Sequence, residues 1–414
     1  MNAPARDLLP AQRDRSSVGD VVGAARPLRR VPAAIARIAD AYLLVYRMPA
    51  IRGGQCIATA MLFVPRAAPP AGGSAMVAYC HGTIGWAAKW APSICVENAS
   101  HPKYRGHWEY ALPVADLLEE GHVVVAPDYE GLGYTSLGVP DTGHLYFNST
   151  SEGRSVAFAA IATRRLLGER VSGAWAAVGH SQGGRVVLST AENIDEARAA
   201  EPALDFRGGV PISPSTNTIA KMNERWQGVL AASASENPEA ALFYLGALSS
   251  YGILYVRAMV SAGLDVDPRR MFAERALRWY EERSDMAHWP LMNEMTDDAA
   301  LHVYCDVDDA GRIYNAPETY PGIRIDAINS APFKDVMEAN EIGRKRVPGE
   351  YVVVQGTADP YTPEAWCREL VNGMLTNGTR VRYSVHTGAD HYGVLQRPAA
   401  RAIVREHLRQ LFAG

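Results

Sequence analysis

The chain has 414 residues, 48% of them hydrophobic and 21% charged, with a formal net charge of −4. That is ordinary globular composition, and it leaves no basic field for a nucleic-acid partner and no base-reading motif. Five cysteines (Cys56, Cys80, Cys95, Cys305, Cys367) lie far apart without a Cys-x-x-Cys, which argues against a zinc ribbon. A Cys95–Cys305 bridge has little support, and burial as small apolar side chains is the simpler expectation.

Residues 1–30 mix arginines and aspartates with Pro4, Pro10 and Pro27, and are expected to form a solvated, flexible segment. Arg29-Arg30 superficially suggests a twin-arginine signal, but Arg37 and Asp40 interrupt the stretch that would have to be apolar. The expected location is therefore the cytoplasm. No run of eighteen apolar residues occurs, so no transmembrane segment is expected.

Tyr42 to Tyr46 and Gln55 to Val64 read as an antiparallel strand pair around Gly53-Gly54. Further strands are expected at Met76–Cys80, His122–Ala126, Ala174–Val178, Phe206–Ile212, Tyr351–Gln355 and Val381–Val385. Helices are expected at Val114–Glu120, Glu152–Leu167, Gly184–Ala191 and Ala399–Phe412. Short β-branched runs alternating with helices predict an α/β fold, a mostly parallel sheet covered by helices on both faces. The stretch between Pro214 and Tyr351 breaks the alternation. Its periodicity is helical, and residues 215–346 are expected to form a cap inserted into a core of 31–214 and 347–414.

Residues 179–184 read Gly-His-Ser-Gln-Gly-Gly, between an apolar strand and a helix. That context makes the segment a nucleophile elbow, in which Ser181 sits on a sharp turn and Gly179 and Gly183 remove the Cβ atoms that would clash. A serine nucleophile needs a base, and the base needs an orienting carboxylate. In elbow-bearing folds the chain order is Ser, acid, His. Asp359 follows the Tyr351–Gln355 strand and His391 follows the last strand, so both fall on loops at the sheet edge where Ser181 points. His180, His288, His302 and His386 are rival bases, and Asp390 and Asp128 rival acids. An oxyanion needs two donors. Gln182 N–H, next after the nucleophile, is one. Thr83 N–H, in the His81-Gly82-Thr83 loop, is the other, with His81 packing beneath. Asp128-Tyr129-Glu130 braces that loop or contacts substrate, or else is a solvated, glycine-rich connection. His180 and Tyr361 also neighbour the site residues in sequence. No metal-ligand spacing and no nucleotide loop is present, so neither metal nor cofactor is expected.

His81-Gly82-Thr83, Ala91-Pro92-Ser93, Pro127 to Gly133, the elbow and the loops of Asp359 and His391 together resemble the secretory lipase family, lipase A type, of the α/β-hydrolases. The resemblance spans most of the chain beyond residue 30. It implies an α/β-hydrolase fold with a helical cap between strands six and seven, no cofactor, and nucleophile, acid and base at Ser181, Asp359 and His391. It also implies a small-molecule ester or lipid substrate, and raises secretion as an alternative location. The fungal elbow is commonly Gly-Tyr-Ser-Gly-Gly, whereas His180 and Gln182 stand at the variable positions here. The expected activity is a serine carboxylic-ester hydrolase working through an acyl-enzyme on Ser181. The alternatives are an acyltransferase with the same residues and a non-catalytic binding protein of the same fold.

Overall fold

A computed structural model of the chain describes residues 17–98, 110–234, 238–305 and 315–413. Nine strands form one sheet: β1 Arg26–Pro27, β2 Ala39–Pro49, β3 Gln55–Pro65, β4 Ser74–Cys80, β5 Val123–Pro127, β6 Val171–His180, β7 Asp205–Ile212, β8 Glu350–Gly356 and β9 Arg380–His386. Their spatial order is β1-β2-β3-β5-β4-β6-β7-β8-β9. The first three pairings are antiparallel and the rest parallel.

The side-chain period of two sorts each strand between the sheet faces. Leu44, Tyr46, Ala60 and Leu62 join one apolar core with the helix Ser149–Leu167. Leu43, Met61 and Phe63 join the other with the helices Ala111–Glu119 and Pro398–Ala413. β5, a run of Val-Val-Val-Ala-Pro, is buried throughout, as a central strand covered on both faces must be.

The expectation of a flexible segment at 1–30 is corrected for its second half; residues 1–16 lie outside the described residues. Val21 bridges to Tyr46, and β1 pairs with β2 at Leu43 and Tyr42. The charges that suggested a solvated segment are used locally. Asp20 accepts the Ser17 N–H at 3.0 Å and pairs with Arg165 at 3.1 Å, while Val21, Ala25 and Leu28 are buried. This short extra strand renumbers the sheet: the helical insertion expected between strands six and seven lies between β7 and β8.

Between Thr218 and Ala339 the described residues form helices and no sheet strand. The three longest are Thr218–Ala234, Pro238–Ser261 and His288–Tyr304, and the insertion has its own apolar core around Leu245, Leu248, Tyr255, Met295 and Phe333. Glu239–Ser261 is long and apolar enough to cross a membrane, contrary to the expectation from the sequence. Its most apolar window is 72% buried inside the insertion, so packing against neighbouring helices accounts for the composition. All five cysteines are free thiols. Cys95 is buried and Cys305 exposed, so the candidate bridge is not formed.

Candidate active site

β6 ends at His180, and the helix Gln182–Glu192 begins one residue past Ser181. Ser181 sits at the turn with φ 58° and ψ −118°. For a residue with a Cβ that backbone costs of order 1–3 kcal/mol, and it persists only where the surroundings enforce it. Here Ser181 N–H donates to Ile212 O at 2.9 Å, and Ser215 N–H donates to Ser181 O at 3.1 Å. The helix also lies hard against the end of β4. A Cβ on Gly183 would strike the Cys80 and His81 carbonyls, so only glycine allows that approach.

Asp359 and His391, on the loops after β8 and β9, meet directly: His391 Nδ1 stands 2.7 Å from Asp359 Oδ2. Both are buried. A carboxylate only accepts, so Nδ1 carries the hydrogen and Nε2 is left as a base. Asp359 also accepts the Tyr361 and Thr362 N–H groups at 2.9 and 2.8 Å, and the Thr362 hydroxyl at 2.7 Å. Burial opposes ionisation of Asp359. The hydrogen bonds from His391 and Thr362, with the imidazole charge, outweigh it and hold the carboxyl well below the usual carboxylate range.

Ser181, Thr83, His81, His180 and His391 line one cleft of about 660 Å³, counting the solvent at its mouth. His180 Nε2 lies 2.7 Å from the His391 carbonyl oxygen, and the two rings are 4.5 Å apart. Burial, then the neighbouring His391, push the His180 pKa down to about 3, so it supports the His391 loop as a neutral donor. The Gln182 side chain is fully buried: its Nε2 donates to Glu152 Oε1 at 2.9 Å and lies 2.7 Å from His144 Nε2. Its backbone N–H belongs to the first turn of a helix, where no intrahelical acceptor exists.

The loop bearing Thr83 is held from below. His81 is buried and its ring stacks on Tyr129 at 4.1 Å, while the Tyr129 hydroxyl donates to His81 O at 3.0 Å. The Tyr146 hydroxyl accepts from Gly85 N–H at 2.9 Å. Asp128 accepts the Ser93 N–H, the Ser93 hydroxyl and the Thr59 hydroxyl at 2.9, 2.5 and 2.6 Å. Glu130 accepts from the Ser151 hydroxyl at 2.6 Å and Ile51 N–H at 3.0 Å. Neither acid is a solvated linker, and neither they nor Tyr129 are among the residues lining the cleft. Of the alternatives read from the sequence, this placement matches bracing.

The rival groups stand elsewhere. Asp390 is exposed and accepts the Gly393 N–H at 2.6 Å. His386 meets the Ser384 hydroxyl at 3.2 Å, and His302 the Thr319 hydroxyl at 2.9 Å. His288 is buried in the insertion against Tyr251, their rings 4.4 Å apart. Tyr361 stacks obliquely near His391 at 5.3 Å and near Trp289 at 5.2 Å.

Sequence reasoning singled out neither Trp289 nor Arg185. Tyr251 and Trp289 of the insertion line the cleft, and Ala287 bridges to Gly85 beside Thr83. Arg185, one turn past Ser181, is buried between Glu152 at 3.5 Å and Glu341 at 3.6 Å, and also donates to Asn340 O. Thr216 and the Thr218 N–H bind Glu341 as well, at 3.1 Å each. One network thus ties both connections of the insertion to the elbow helix. Glu152 on the otherwise apolar face of its helix was the available signal.

A model described as "Alpha/beta hydrolase family" matches residues 77–403. The chain belongs to that family. The hydrolase matches no curated protein sequence. Among solved structures it resembles the rice cell wall degrading esterase LipA from Xanthomonas oryzae, with TM-score 0.69, 17% identity, and coverage of 95% of this chain and 99% of that one. Candida antarctica lipase A aligns with TM-score 0.60 at 13% identity over 91% of this chain and 78% of that one. A putative hydrolase from Legionella pneumophila aligns with TM-score 0.61 at 17% identity over 95% and 98%. At these identities the likeness is one of fold.

Proposed function

We propose that this hydrolase cleaves carboxylic esters by a serine mechanism. The observation that carries the reading is the buried Asp359–His391 pair, 2.7 Å apart, with His391 and the strained Ser181 lining the same cleft. His391 Nε2 takes the Ser181 hydroxyl proton as Oγ attacks the ester carbonyl. Asp359 fixes the Nδ1–H tautomer and stabilises the imidazolium. Backbone N–H groups of Gln182 and Thr83 stabilise the oxyanion, an interaction typically worth ~2.7–4 kcal/mol per donor. His391 returns the proton to the leaving alkoxide. Water, deprotonated by His391, then splits the acyl-enzyme to release the acid and free Ser181. The insertion acts as a cap, since Tyr251 and Trp289 complete the cleft wall.

A fluorophosphonate probe should label the protein with one equivalent, and Ser181→Ala should abolish both labelling and p-nitrophenyl ester turnover. Labelling that persists in the variant refutes the nucleophile, and an unlabelled, inactive wild-type protein refutes the mechanism.

A further inference from the structure

The substrate class follows from the chemistry of the cleft wall, and this inference rests on the ester-cleaving reading above. Five large rings line the cleft besides its histidines: Tyr79, Tyr110, Tyr251, Trp289 and Tyr392. They come from separate parts of the chain, Tyr79 from β4, Tyr251 and Trp289 from the insertion, and Tyr392 from the loop of the base. Several stand edge-to-face or tilted: Trp289 and Tyr392 are 6.0 Å apart at 64°, Tyr392 and His391 5.1 Å apart at 84°, Tyr79 and Tyr110 5.9 Å apart at 44°. Such arrays accept a further planar ring, stacked or edge-on, with about 0.5–1.5 kcal/mol per pair beyond burial alone.

The polar groups narrow the choice. Among the described residues lining the cleft there is no Asp, Glu, Asn, Gln, Lys or Arg. The polar groups at the wall are uncharged, the hydroxyls of Thr83 and the tyrosines and the imidazoles of His81, His180 and His391. A plain alkyl chain would need none, but one polar group is waiting. Tyr110 is 8% exposed and lines the cleft, and its buried hydroxyl has no hydrogen-bond partner among the described residues. Buried polar groups are almost always paired, so an orphan at a binding cleft marks a place for a ligand atom.

We infer that the enzyme's substrates are esters bearing a planar aromatic ring with a ring hydroxyl, the ring lying among Tyr79, Tyr251, Trp289 and Tyr392 and its hydroxyl pairing with Tyr110. Tyr110 is then a specificity-determining residue, and it takes no part in the proton transfers.

The test compares kcat/KM for three methyl esters of matched size, 4-hydroxybenzoate, benzoate and cyclohexanecarboxylate, and for the corresponding aryl and cyclohexyl acetates, which place the ring on the alcohol side. In one series the wild-type enzyme should prefer the aromatic ester over the cyclohexyl one by about tenfold, and the hydroxylated ring over the plain ring by about tenfold again. Tyr110→Phe should erase the second step and keep the first; Trp289→Leu should erase the first. Melting temperatures of both variants within a few degrees of wild type show that they fold. Equal rates on aromatic and cyclohexyl esters in both series overturn the proposal, as does a hydroxyl preference that survives Tyr110→Phe. Hydrolysis of none of the six esters, with p-nitrophenyl acetate still cleaved, also overturns it. Loss of that cleavage as well, and of Ser181 labelling, would instead strike the underlying ester reading.

Discussion

His391 and Trp289 line one cleft, yet they are held there in different ways. His391 is over-determined by hydrogen bonds: its Nδ1 is fixed on Asp359, its carbonyl receives His180, and Asp359 is pinned by Tyr361 and Thr362. Trp289 is placed by ring packing and by a helix whose first residues touch the core through single backbone contacts, His288 N–H to Ile84 O at 2.9 Å among them. The difference teaches which positions tolerate drift. A proton must move along one line between two atoms, so the base needs directional bonds. A substrate wall needs shape and area, which rings supply without directional bonds.

The strongest way to break this contrast is Asp359→Asn. Its amide cannot accept the Nδ1–H and also keep the donors of Thr362 satisfied, so His391 is expected to adopt the wrong tautomer. In a serine hydrolase that change costs about 10⁴ in kcat with the geometry intact. We expect a loss of that order in p-nitrophenyl ester turnover, with KM little changed. A loss under tenfold would mean that His391 needs no orienting acid.

The next largest effect belongs to Arg185, where the two regions meet. Removing one partner of a buried ion network typically costs about 3–5 kcal/mol, because the remaining charges are left unpaired. Arg185→Met leaves Glu152 and Glu341 in that condition. Denaturant melts should show a loss of that size, and limited proteolysis should cut first at the insertion's connections near 213–218 and 340–349. An unchanged midpoint would mean that the insertion is seated by packing alone.

How much of this was legible in the sequence follows the same division. Ser181, Asp359 and His391 could be read because strand ends and chain order dictate where loops emerge, and the elbow needs glycines that leave a visible pattern. The strands could be read for the same reason, from β-branched runs. Arg185 and His144 could not, because a buried polar side chain looks like a surface one until its partner, more than thirty residues away, is known. Residues 17–30 were misread for that reason too: Asp20 finds Arg165 across 145 positions. Tyr251 was legible as an apolar helix residue, but periodicity says which side is buried and not which buried residue faces a cleft.

Acid sharpens the comparison through three buried imidazoles. His144 and His180 in the core and His288 in the insertion are each pushed down to about 3, chiefly by burial. Their ordinary value is near 6.5. A histidine held neutral when folded stabilises the fold fully above its unfolded pKa, and that stability is lost as pH falls from about 6.5 toward 3. The slope is roughly 1.4 kcal/mol per pH unit for each group. Asp359, held low, adds to the loss only below about 4, where unfolded carboxyls protonate. The share of the unfolding free energy that these imidazoles supply should therefore decline from pH 6.5 downward, and His288→Gln should lessen that slope by one proton. A slope unchanged in that variant would mean that His288 is hydrated in solution, and that the insertion stands off the core.

The smallest effect is expected from an exposed ion pair that bridges the two regions. Lys89 Nζ lies 2.8 Å from Asp285 Oδ2, with the two side chains 40% and 71% exposed. Exposed pairs contribute about 0–1 kcal/mol and are screened by salt. Beside it, in the same junction, the Trp90 indole N–H donates to the Asp285 carbonyl at 2.9 Å, and Gly85 bridges to Ala287. Lys89→Ala should shift the thermal midpoint by no more than a couple of degrees and leave ester kinetics untouched. Trp90→Phe, which removes the indole donor, should cost more. Were the order reversed, and the Lys89 effect abolished by added salt, the insertion would be held by surface charge. Ionic strength would then tune access to the cleft, and ring packing could no longer be what fixes Trp289 at its wall.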